Sequence, residues 1–195
     1  MAFMITETEL SKRGSQVRQL MRPICRTAGG PAWRPVSSRG FYVIGTFTAS
    51  SSGGVGPETK TGPTAANYRD WRFPTILNNF RGNYFERWES EDDRNWYLNR
   101  AYLQIYESTL PVGTEREFLC LHCDPNEPED NAHSLYKKGP HLHIKAAESP
   151  IPRSHIALAL GQLPDLIQSV DALTEAIEWS ILMIREQFLD LFEEK

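Results

Sequence analysis

The chain is predicted to be an α+β domain, with an antiparallel sheet of about four strands packed by a long C-terminal helix. Three observations predict this. Short runs of alternating polar and apolar residues recur between 95 and 160. The segments joining them are rich in Pro, Gly, Asp and Ser, the composition of turns. The last thirty residues carry an apolar stripe at spacings of three and four, the mark of one buried helical face.

The first 40 residues stand apart. They hold seven basic residues (Lys12, Arg13, Arg18, Arg22, Arg26, Arg34, Arg39) against Glu7 and Glu9, in a chain whose net charge is −4. A helix is expected from about Thr8 to Met21, with Leu10, Val17, Leu20 and Met21 as a broken apolar side. Gly14 weakens it and Pro23 ends it. Phe41 to Thr48 has the aromatic and β-branched composition of a strand. Residues 49–66 are then mostly Ser, Gly, Pro and Thr, with only Val55 of any apolar size, which reads as a linker or long surface loop. The domain organisation read from this is a basic, partly disordered N-terminal segment and linker over residues 1–66, followed by an α+β domain over residues 67–195.

Residues 67–106 hold more than half of the aromatic side chains, with six arginines among them. Such mixtures can stack on single-stranded bases. Here Asp70, Glu86, Glu89, Glu91, Asp92 and Asp93 cancel the charge, which favours core aromatics and arginines lying along apolar surface. Asn95 to Tyr106 reads as a strand, with Ala101, Leu103 and Ile105 on one face. The turn Thr109 to Thr114 leads on into a second strand from Arg116 to Asp124. Further strands are expected over Pro140 to Ala147 and His155 to Leu160. Ser169 or Asp171 is the expected cap of the final helix, whose buried stripe includes Leu173, Ile177, Ile181 and Ile184.

All five histidines fall between Glu117 and Leu160: His122, His133, His141, His143 and His155. Cys120 and Cys123 lie there too. Side chains two apart share a strand face, so Cys120, His122 and Asp124 belong together, opposite Leu119, Leu121 and Cys123. By the same period His141, His143 and Lys145 share a face, opposite Leu142 and Ile144. If the apolar faces are buried side by side, the histidines of both strands meet on the other face. His133 lies in a polar connection and reads as an exposed loop residue.

Three chemistries suit that cluster. A divalent transition metal, zinc the best match, takes Cys and His ligands, here Cys120, His122, His141 and His143. Phosphate or phosphodiester hydrolysis would use His143 and His122 as acid and base, with Lys145 stabilising the anion and Lys137, Lys138 or Arg153 nearby in sequence. A non-catalytic face that binds a partner is the third, with the C-terminal helix offering a contact for a protein partner or a second copy. The His-x-His-x-His motif of histidine-triad nucleotide-binding proteins lacks its third member, because position 145 is lysine. The expected ligand of the hydrolytic reading is phosphate-containing or a nucleic acid. A composition of 40% hydrophobic and 24% charged residues, three cysteines and no apolar run of about 18 residues point to a cytoplasmic protein without a membrane anchor.

Overall fold

The computed structural model describes residues 4–25, 32–38, 40–47, 73–74, 80–90, 92, 94–107, 117–125, 138–144, 155–158 and 169–190. The strands among them are β1 (Met4–Thr6), β2 (Ala32–Ser38), β3 (Phe41–Phe47), β4 (Phe73–Pro74), β5 (Phe80–Ser90), β6 (Asn95–Glu107), β7 (Glu117–Cys123), β8 (His141–Ile144) and β9 (His155–Ala157). Two α-helices also lie among the described residues, α1 (Glu7–Met21) and α2 (Val170–Ile184), and α2 runs on into a π-helical turn at Arg185–Leu189.

The nine strands form one antiparallel sheet in the order β2-β3-β5-β6-β7-β8-β9, with β1 alongside β6 and β4 alongside β5. The predicted α+β class and the C-terminal helix are present, and the sheet is wider than the expected four strands. The strand hardest to read from sequence is β5. It is buried along much of its length, so its residues do not alternate between apolar and polar. Gly40, at a φ of 80°, turns the chain between β2 and β3, a conformation that costs little without a Cβ.

The main core lies on one face of the sheet. Tyr84 and Trp88 of β5, Leu103 and Ile105 of β6, Leu119, Leu121 and Cys123 of β7 and Leu142 of β8 line that face. Leu10, Val17, Leu20 and Met21 of α1 and Leu173, Ile177, Ile181 and Ile184 of α2 pack into the same cluster. A bulge between β5 and β6 opposes Trp88 to Leu98 directly after Arg87 opposes Arg100. The extra residue shifts the period by one and brings Leu98 into the core.

Sheet and core therefore run across the expected boundary at 49–66, itself outside the described residues. The helix expected at Thr8 begins at Glu7, where a reciprocal cap holds it. Thr6 Oγ1 accepts from the Glu9 amide, and Glu9 Oε2 accepts from the Thr6 amide at 2.8 Å. Far from being a loose arm, residues 4–25 form a strand and a helix that cover the sheet, because the apolar stripe of α1 has the same core to bury as α2. Their positive charge includes a core group: Arg13 is 1% exposed.

Candidate metal centre on the second sheet face

The opposite face carries different chemistry, and strand register alone assembles it. One row crosses the sheet as Phe85, Tyr102, His122 and His141, each opposite the next on adjacent strands. The neighbouring row is Asn83, Gln104, Cys120 and His143. Val43, Phe85, Tyr102 and Cys120 form a small second core here. The faces divide as the period of two predicts: Leu119, Leu121, Cys123 and Leu142 point to the main core, and His122 and both β8 histidines to the other side.

His122, His141 and His143 each offer a ring nitrogen, and these atoms lie within 4.8 Å of one another. The imidazole of His122 is stacked on that of His143, with centroids 4.2 Å apart. His141 meets His122 edge-on at 5.5 Å and lies 5.1 Å from His143. His141 is completely buried and His143 is 8% exposed. The Nδ1 of His141 lies 2.9 Å from the Gly139 carbonyl oxygen. A carbonyl only accepts, so Nδ1 carries the proton and the ring lone pair is on Nε2. Histidines that ligate metals are commonly oriented by such a bond.

Tyr102 fixes the third ring. It is stacked flat on His122, with centroids 3.9 Å apart and planes 9° from parallel. Its hydroxyl donates to Asp124 Oδ1 at 2.9 Å. Burial, then the Asp124 carboxylate, push the phenol far above its ordinary range, so it stays a protonated donor. Asp124 was expected to share a face with His122, and it acts on that ring through Tyr102. The start of β8 is tied to β7 by Cys123, whose thiol donates to the Lys138 carbonyl oxygen at 3.3 Å. Burial, with Asp124 and Glu86 adding to it, raises the Cys123 thiol well above its ordinary value.

Three of the four expected ligands thus come together. Cys120 is on the same face, opposite His143 in register, but is not part of the group, and its thiol points to the Leu121 carbonyl oxygen at 3.9 Å. The backbone of His155 pairs with His143, which places β9 next to the site. Lys145, His133, Lys137 and Arg153 lie outside the described residues. Tyr102, Asn83 and Gly139 were not singled out from sequence. The alternation of β6 marks Tyr102 as facing away from the core, but only the register shows that it meets His122.

No protein-family model, no curated protein and no solved structure matches this chain. Function must therefore be argued from the site. Among the described residues no helix is long and apolar enough to cross a membrane.

Proposed function

We propose that His122, His141 and His143 bind one divalent transition metal, zinc the best match, and that the bound metal activates water for hydrolysis of a phosphodiester or related phosphate-containing substrate. The observation that carries this reading is the approach of the three ligand nitrogens to within 4.8 Å on three rigidly paired strand positions. Nitrogens sharing one tetrahedral zinc stand roughly 3.3 Å apart, from Zn–N bonds of about 2.0–2.1 Å. Small ring rotations close that gap. Three protein ligands leave a fourth position for water, the pattern of catalytic rather than structural zinc, and zinc lowers the pKa of such water to about 7. His122 and His143 serve as ligands in this reading rather than as free acid and base. Lys145, next in sequence after β8, is the cation assigned to the anionic substrate.

Elemental analysis of the purified protein tests the first half. About one zinc, manganese, iron or nickel per chain is expected, falling to background in His141→Ala. A chain that binds no metal in equilibrium dialysis overturns it. The second half is tested by metal-dependent hydrolysis of bis(p-nitrophenyl) phosphate, which chelation should abolish. A non-catalytic adaptor is the second reading, favoured by Trp179, which is 65% exposed on α2. A self-associating protein whose Trp179→Ser variant is monomeric in light scattering, with no hydrolysis, would support that reading instead.

A further inference from the structure

Asn83 sits on β5 at the far end of the row that ends in His143. It is completely buried, and among the described residues neither Oδ1 nor Nδ2 has a hydrogen-bond partner. Its neighbour two residues on, Phe85, belongs to the small apolar core with Val43 and Tyr102. Buried amides in native proteins are almost always hydrogen-bonded, and an orphan calls for a reason. Leucine has nearly the same shape and would fill the position with no polar group to satisfy. An amide kept here, on the histidine face rather than the helix face, is placed for a partner that arrives from outside the fold.

We propose that Asn83 is a ligand-binding residue of this face and that it takes a planar edge bearing an N–H beside a C=O. A side-chain amide presents one acceptor and two donors in a plane, so it pairs with such an edge through two parallel hydrogen bonds. The same chemistry occurs on nucleobases and on carboxamides. Gln104, opposite Asn83 in register, is next along the row toward the histidines. Three strand spacings separate Asn83 from His143, roughly 14 Å. A ligand of mononucleotide size would span that distance, with its planar edge at Asn83 and its other end toward the histidines. The rings of Phe85 and Tyr102, 5.2 Å apart in the adjacent row, make that approach aromatic. The inference rests on the histidine face being a binding face, and does not require that a metal be there.

The test compares the wild-type protein with Asn83→Leu. Without ligand, the leucine variant should melt at a higher temperature, because an unsatisfied amide has been removed. Calorimetric titration then uses uridine and guanosine 5′-monophosphates for the nucleobase and N-acetylglutamine amide for the carboxamide. One class should bind the wild type and lose at least tenfold in affinity in Asn83→Leu, and whichever binds identifies the source of the edge. In the wild type, the Asn83 side-chain NH₂ resonances should shift on adding that probe, a readout independent of the variant's folding. A leucine variant that melts no higher, probes that do not bind the wild type, or binding that is unchanged by the substitution each overturn the proposal. Metal content is measured on the same preparations and should be equal in both proteins, so failure of the metal reading appears separately.

Discussion

Arg13 and Glu86 show how one residue pair can be decisive. The Arg13 guanidinium makes a two-pronged contact with Glu86, Nε to Oε2 at 2.8 Å and Nη2 to Oε1 at 2.7 Å. Both residues are essentially fully buried. Tyr84 donates to one Glu86 oxygen and Trp88 to the other, while Arg13 Nη1 donates to Gln16 and to Thr174 of α2. Burial works to lower the pKa of Arg13, but Glu86 and then Tyr84 raise it above its ordinary value. Cutting one partner from such a pair leaves a buried charge uncompensated, which typically costs about 3–5 kcal/mol. Arg13→Ala is expected to lower the free energy of urea unfolding by about that amount. A loss under about 1 kcal/mol, the range of a surface ion pair, would show that solvent reaches the site.

Tyr84 adds a pH dependence with a defined sign. Burial and the Glu86 carboxylate raise its phenol well above the ordinary value. A raised folded-state pKa gives stabilisation that is complete below the unfolded value, about 10, and is lost as pH climbs above it. Stability measured from pH 9 to 12 should fall, and less steeply in Tyr84→Phe. A variant with an unchanged slope would remove Tyr84 as the cause. At the histidine site the dependence runs the other way. Metal ligation needs neutral imidazoles, so protons compete with the metal for the three rings as pH falls. Metal bound at pH 8 is expected to be released by pH 5 in dialysis. Retention at pH 5 would argue against an all-histidine site.

At the scale of elements, helices were legible and sheet order was not. Leu10, Val17 and Leu20 in one segment, and Leu173, Ile177 and Ile181 in the other, recur at helical spacing, and each stripe is buried. The Ser169 cap of α2 was legible too, since its hydroxyl accepts from the Ala172 amide. β7 and β8 were read with their faces in the right sense because leucine and histidine alternate along them, Leu121 beside His122 and Leu142 between His141 and His143. β5 is buried along much of its length and shows no such alternation. The pairing of Tyr102 with His122 depends on a register between strands that no local pattern encodes. Tyr102 is expected to act on metal through ring position. If the site binds cobalt, Tyr102→Leu should weaken it at least tenfold by competition titration, while Tyr102→Phe, which keeps the stacked ring, should retain most of the affinity. Equal affinities in all three proteins would mean that the ring does not orient His122.

For the whole molecule, the N-terminal elements belong to the main core. β2 and β3 continue the sheet beyond β5, and α1 lies over its face beside α2. Deleting residues 1–66 is therefore expected to abolish cooperative thermal unfolding, because Leu10, Val17, Leu20 and Met21 leave apolar surface behind. A truncated chain with a sharp transition within a few degrees of the full protein would place the core in residues 67–195 after all.

The amino-acid sequence by itself determined the α+β class, the two amphipathic helices, and the faces of β7 and β8 that keep histidines away from leucines. Those follow from periods of 3.6 and 2, which are local properties of the chain. Tertiary structure decided which strands are neighbours, and so that His122, His141 and His143 converge while Cys120 stays outside the group. It also decided that Arg13, one basic residue among seven near the start of the chain, is buried against Glu86. Both depend on contacts between residues far apart in sequence. Burial turns a charge or an imidazole from a solvated group into one that must be paired, and where burial falls is set by the packing of the whole.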